Sequence, residues 1–145
     1  MIRLQEVRER LAIKAPEFGT LGNAAQFAQV LKDNQLPQTE LGGFVLPGPL
    51  VGGTADTMSG LFIQNFNEEV WVVLVIRNSA GALGEEAVDE LPPLVSKVIE
   101  GVVGWGPDDA PGVFALGSAE LVGSQDNAIL YEIHFRLFDQ MRVTP

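Results

Sequence analysis

A run of seven consecutive apolar residues, 70–76, constrains the fold more than any other feature of the chain. A strand that is apolar on both faces is usually central in a sheet and covered on both sides. The run ends a longer β-prone stretch, 59–77, in which residues 65–69 form either a bulge in one long strand or a turn between two. The sequence therefore predicts a sheet with this stretch at its centre and helices packed on it.

Three further segments are predicted to be strands. They are residues 43–47, residues 114–122 and residues 128–138, with a hairpin turn at 123–127. Apolar and polar side chains alternate along the last strand, which is typical of a half-buried strand. Its apolar side carries Ile129, Tyr131, Ile133, Phe135 and Leu137, and its polar side carries Glu132, His134 and Arg136.

Two helices are predicted before the first strand. Residues 2–15 place Leu4, Val7 and Leu11 on one face, and Pro16 and Gly19 stop the helix. The second helix starts at an N-cap, Asn23, whose partner in a capping box is Gln26, and it ends at 34–37. Its predicted apolar stripe consists of Ala24, Phe27 and Leu31.

A third helix is predicted at 85–103, after a turn at 81–84 and before a C-terminal cap at Gly104. Pro92 and Pro93 lie inside it, so either the helix kinks there or a new helix begins at one of them. The order of elements predicts one α+β domain over residues 1–145. Its sheet is expected to be mostly antiparallel, with about four strands and helices packed on it.

Residues 47–60 are rich in glycine, proline, threonine and aspartate and offer few side chains for a core. They are interpreted as a long exposed loop or an extended hairpin arm, and long segments of this kind in compact domains are often functional. The predicted contact residues of this segment are Leu50, Val51, Thr54, Asp56 and Met58.

The net charge of −10 argues against nucleic-acid binding, which needs a basic surface to displace phosphate counterions. The one basic cluster contains Glu6 and Glu9 as well, and it is interpreted as the solvated face of a helix. Its cations are Arg3, Arg8, Arg10 and Lys14. The chain has no cysteine, which excludes disulfides and thiolate sites. It shows no signal-peptide core and no apolar run that could span a bilayer, so we expect it inside the cell or in a particle.

The sequence contains few residue patterns that are typical of a catalytic site. The single histidine, His134, is either a general base or a surface or interface residue, and a small hydrolase would combine it with Asp139. Ser118 lacks the second glycine of a nucleophile elbow. The pair Asp108 and Asp109 lacks the spaced ligands of a calcium loop and is interpreted as a solvated turn. We therefore predict no catalytic, cofactor or metal site.

The two tryptophans receive different interpretations. Trp71 lies in the apolar run and is predicted to be in the core, whereas Trp105, between two glycines at a helix end, is either a core residue or an interface anchor. With His134 and Arg136, Trp105 completes the candidate interface residues.

The whole pattern resembles the tail terminator family of long-tailed bacteriophages. The likeness rests on the opening segment 2–11, the small-residue helix 24–28, the strand 43–47, the long strand 64–77, the helix end 103–105 and the final strand 130–135. These are signatures of a fold and not of a catalytic site. The Pro92 and Pro93 pair departs from the uninterrupted helix that the resemblance implies.

The resemblance implies a homo-oligomeric ring, expected to be hexameric, that caps the tail tube, ends its polymerisation and joins the head. Its implied partners are itself, the tail tube protein and a connector or neck protein. DNA would pass through the pore unbound, since six copies would carry a charge of about −60. The segment 47–60 would meet the tube, and exposed strand edges would join neighbours. The alternatives are a neck or head–tail completion protein, a small hydrolase, and an adaptor that binds one partner at its sheet edge.

Overall fold

The computed structural model describes residues 2–33, 40–77, 85–125 and 128–145, apart from the side chains of 85–90 and 125. Within these ranges it has three α-helices and a four-stranded sheet in the order β1-β2-β4-β3, and every strand pair is antiparallel. The helices are α1 Leu4–Lys14, α2 Ala24–Asp33 and α3 Glu85–Val102; the strands are β1 Leu41–Met58, β2 Leu61–Arg77, β3 Phe114–Gln125 and β4 Ala128–Val143. The predicted α+β fold class is confirmed.

Three predicted features lie partly or wholly outside the described residues. They are the end of the second helix at 34–37, the turn at 81–84 and the tip of the hairpin turn at 123–127. Predicted strand and helix positions are otherwise confirmed, although β1 and β4 extend well beyond the predicted 43–47 and 128–138.

Strand β2 is central, as its apolar run predicts. It pairs with β4 in one unbroken register from Phe62 opposite Val143 to Arg77 opposite Ala128, so residues 65–69 contain neither a turn nor a register shift against β4. The extra residues lie in β1, whose pairing with β2 shifts between Pro47 and Leu50 and again between Gly52 and Ala55. The bulges therefore fall in the glycine- and proline-rich strand, where they cost little packing.

Helices α1 and α3 cover one face of the sheet, and the main core lies between them and the strands. Val7 and Leu11 of α1 and Val98 and Val102 of α3 are almost completely buried there. The inward side chains of β4 are those predicted by its alternation, with Ile133, Phe135 and Leu137 fully buried and Tyr131 partly buried.

Helix α2 packs on the opposite face, at one end of the sheet. Phe27 and Val30 contact Phe44 and the small cluster that contains Val75. The predicted capping box is confirmed, since Asn23 and Gln26 each donate a backbone N–H to the other's side-chain oxygen, at 2.8 and 2.9 Å. The predicted stripe is wrong at two positions, because Ala24 is exposed and Leu31 is 64% exposed.

Helix α3 continues through both prolines, so no new helix begins at Pro92 or Pro93. Both rings are exposed, which keeps them out of the helix–sheet contact. Gly104 ends the helix region with a φ of 83°, in the left-handed region that glycine adopts without strain, and its N–H donates to the carbonyl of Phe114. The predicted cap is confirmed.

Candidate functional site

The sheet extends beyond its helices as an arm of three strands. We define the arm as residues 50–58 of β1, 61–67 of β2 and 138–143 of β4. It has no fourth strand because β3 begins at Phe114, opposite Leu137. Its tip is a two-residue turn in which Ser59 and Gly60 have φ values of 50° and 79°, the signs of a type I′ hairpin turn. Of the two interpretations of residues 47–60, the hairpin arm is confirmed.

All five predicted contact residues of the arm are exposed. Leu50, Val51 and Met58 are 45%, 50% and 61% exposed, and Thr54 and Asp56 are also in solvent. Exposed apolar side chains add nothing to the core of the domain. That they contact another molecule stays a prediction.

The base of the arm is held by a buried cluster of charges centred on Arg3. The Arg3 side chain is 5% exposed, and Nη1 donates to Glu68 of β2 and, at 2.9 Å, to Asp139 of β4. The backbone N–H of Arg3 also donates to Glu68, at 3.1 Å. The prediction that Arg3 belongs to a solvated basic face is therefore wrong, because its charged partners come from strands distant in sequence.

The Arg3 cluster reaches the surface through Asp109. Arg3 Nε donates to Asp109 Oδ1 at 3.3 Å, and the Asp109 side chain is 80% exposed, so its predicted place in a solvated turn is confirmed. This hydrogen bond holds the pKa of Asp109 below its usual value. Burial lowers the pKa of Arg3, but the bonds to Glu68, Asp139 and Asp109 outweigh burial and raise it overall. Arg3 therefore stays charged and ties α1, β2, β4 and the loop after α3 together.

The face of the sheet opposite α1 and α3 carries a stacked pair of rings. The ring centroids of Trp71 and His134 are 4.1 Å apart, and the two ring planes differ by only 6°. Trp71 Nε1 donates to Glu69 at 3.1 Å, and His134 Nε2 is in hydrogen-bond contact with Glu132. Trp71 is thus a half-buried residue of the open face and not the core residue predicted, because odd and even positions of β2 face opposite ways.

The hydrolase that would combine His134 with Asp139 has no geometric basis. The two residues stand on opposite faces of β4, and Asp139 is bonded to Arg3. His134 does contact Ser118, whose Oγ lies 3.3 Å from Nδ1. Ser118 is exposed within β3 beside a register shift, without the strand–turn–helix elbow that presents a nucleophile.

We expect His134→Ala to lower the free energy of unfolding by about 1 kcal/mol, because it removes the ring stacked on Trp71. Ser118→Ala, the matched control, should change it little. Neither substitution should alter the background hydrolysis of an activated ester. Urea titration and an ester assay measure the two effects, and ester turnover that either substitution abolishes would contradict this interpretation.

Trp105 packs against the edge of the main core, the first of the two roles left open for it. Its ring stacks on Phe114 at 5.7 Å and packs against the core, while the guanidinium of Arg10 lies 5.2 Å above it. The ring remains half-buried, and its role as an interface anchor stays a prediction. The same holds for Arg136, which is exposed on β4.

The described ranges contain no group of three or more histidine, aspartate or glutamate side chains that could hold a metal ion. None of the helices in these ranges is both long and apolar enough to cross a membrane.

Comparison with known families gives one match over almost the whole chain. A family model described as phage tail terminator protein matches residues 1–144. No curated protein matches the sequence. The match includes the arm, the Arg3 cluster and the open face with Trp71 and His134.

Proposed function

The chain belongs to the phage tail terminator family, and on this premise we propose that it forms a homo-oligomeric ring, six copies in the simplest case, that caps the tail tube. It is thus a structural component of the phage tail and of the virion. The proposed ring ends tube polymerisation and offers the head-proximal surface to a connector or neck protein. The observation that carries the proposal is the family match over residues 1–144.

The arm supports a contact with the tube. It projects beyond the helices, is held at its base by Arg3, and exposes Leu50 and Val51 near its base and Met58 beside its tip. A projecting hairpin with a well-defined turn can enter a neighbouring ring without rearrangement of the core. We assign Leu50, Val51 and Met58 to this contact, with Thr54 and Asp56 beside them.

The negative net charge of the chain supports a pore through which DNA passes without being bound. Each copy carries a net charge of −10, and an acidic pore repels the phosphate backbone at short range. The same repulsion argues against a role in which the protein holds DNA directly.

The proposal is tested by deleting the gene from its phage and imaging the particles by electron microscopy. We expect tails of uncontrolled length that lack heads, and normal particles when the wild-type gene is supplied in trans. Tails of normal length that fail to join heads would overturn the proposal and favour a neck or completion protein. Complementation by the wild-type gene controls for effects on neighbouring genes.

A further inference from the structure

The two outer edges of the arm fit one another between copies of the chain. The outer edge of β1 and the outer edge of residues 139–143 of β4 have no strand beside them in the described part of the chain. We propose that residues 55–57 of one copy pair, parallel and in register, with residues 141–143 of the next. This inference rests on the ring of the proposed function and names the contact that closes it.

The other free edges are less suited to pairing. The start of β1 is covered, since Gly22 exchanges hydrogen bonds with Gly43 and Val45 on its outer side. Two residues after Val45, Pro47 also faces outward along this edge, but its backbone nitrogen has no hydrogen to donate. Strand β3 has register shifts between Leu116 and Ser118 and between Leu121 and Gly123, which disturb its outer edge. Prolines and bulges of this kind are common protections against strand addition.

Strand direction fixes the pairing as parallel. Strands β1 and β4 are each antiparallel to β2, so they point the same way within one copy. The proposed pairing places the ring axis along the strands. Rotation about that axis keeps the strand direction, and head-to-tail contacts of this kind are the ones that close into rings. At equal height along the arm, Asp56 and Arg142 are both opposite Ile63 of β2. Rotation therefore brings Asp56 of one copy beside Arg142 of the next.

The backbone groups agree with this register. The two-residue turn closes on Met58 and Leu61, which form a hydrogen-bonded pair. Backbone groups along β1 point alternately toward β2 and away from it, so the N–H and C=O of Ala55 and Thr57 point outward. The same alternation across β2 directs those of Arg142 outward on β4. In a parallel pair, a residue bonds the two neighbours of the residue opposite it. Arg142 can thus bond Ala55 and Thr57 of the next copy while lying opposite Asp56. The N–H of Thr57 donates to Asp56 Oδ1 within one copy, and in the proposed pair it is released when the Arg142 side chain binds that carboxylate.

The side chains are complementary in charge. Asp56 is the single charged residue of residues 47–58, and Arg142 is the single cation of residues 138–145. Both stand on the sheet face opposite α1 and α3. Neither forms an ion pair within the described ranges; Asp56 Oδ1 accepts from the N–H of Thr57, and Arg142 Nε donates to Gln140. A second copy would provide each with its opposite charge.

The test is charge reversal in the purified full-length chain, with assembly measured by sedimentation velocity. Asp56→Arg and Arg142→Asp should each raise the concentration needed for assembly about ten-fold or more, because attraction becomes repulsion. The double variant should assemble like the wild type. An equimolar mixture of the two single variants should also assemble, in rings with alternating copies, since each then meets its opposite charge. Glu120→Arg, an equal charge change on the exposed part of β3, is the matched control and should leave assembly unchanged.

A covalent test uses the absence of cysteine from the chain. The variant Asp56→Cys with Arg142→Cys should give a ladder of disulfide-linked copies on oxidation, and either substitution alone should give at most dimers. If both charge-reversal variants form rings at the same concentration as the wild type, the pairing is overturned and the proposed ring still stands. A mixture that does not assemble, or a double-cysteine variant without a ladder, would also overturn the pairing. A wild type that forms no ring would overturn both.

Discussion

Replacing Arg3 by alanine is expected to lower the free energy of unfolding by about 3–5 kcal/mol, because it leaves buried carboxylates without their cation. Glu68 is fully buried and Asp139 is 7% exposed, so water cannot replace the lost guanidinium without opening the base of the arm. A loss of this size is a large share of the stability of a typical domain. Urea denaturation followed by Trp fluorescence measures it.

Two comparisons distinguish the cost of leaving buried charges uncompensated from the cost of losing an arginine side chain. Arg8→Ala removes an arginine of α1, the helix that Arg3 precedes. Within the described ranges the Arg8 side chain is hydrogen-bonded to Gln5 alone, so the substitution should cost less than about 0.5 kcal/mol. Adding Glu68→Gln and Asp139→Asn to Arg3→Met removes the buried charges and should recover part of the loss. A cost of Arg3→Ala below about 1 kcal/mol would show that the cluster is solvated and does not hold the arm.

Shortening the arm is expected to abolish tail termination and leave the domain folded. Asp56 and Ile63 are a hydrogen-bonded pair by the alternation described above, so residues 57–62 can be replaced by Asn-Gly, which suits a type I′ turn. The substitution removes Met58 and the existing tip and leaves the Arg3 cluster in place. A phage that depends on the shortened protein should form no plaques and should carry overlong tails.

The matched control keeps the length of the arm. Ser59→Asn retains the turn type and the arm with its exposed side chains, and it should support plaques at the wild-type level. Solution assembly of the shortened chain, measured in parallel, distinguishes a lost tube contact from a lost ring. A shortened protein that still ends tails at the normal length would refute the role of the arm.

The elements that were predicted correctly are those fixed by local patterns. The apolar run at 70–76 indicated a central strand because a strand that is apolar on both faces is usually covered on both sides, and six of its seven residues are buried. Asn23 and Gln26 located the start of α2, and Gly104 the end of α3, since caps depend on neighbours three or four residues away.

The wrong predictions concern contacts between distant parts of the chain. Arg3 was assigned to solvent because Glu6 and Glu9 are its neighbours in sequence, whereas Glu68 and Asp139 are its partners in space. Trp71 was assigned to the core because an apolar run does not show which face α2 leaves uncovered. The signals for the Arg3 cluster were Glu68 and Asp139, carboxylates at inward positions of β2 and β4.

The Arg3 cluster also sets an order of events during synthesis. Arg3 is made before its partner Asp139, which lies 136 positions later. The β1–β2 and β3–β4 hairpins can form as they emerge, but their union through β2 and β4 awaits the final strand. The edge proposed to receive a second copy is thus completed only after β4 has been made. A nascent chain that still lacks β4 has no closed arm to offer to another copy.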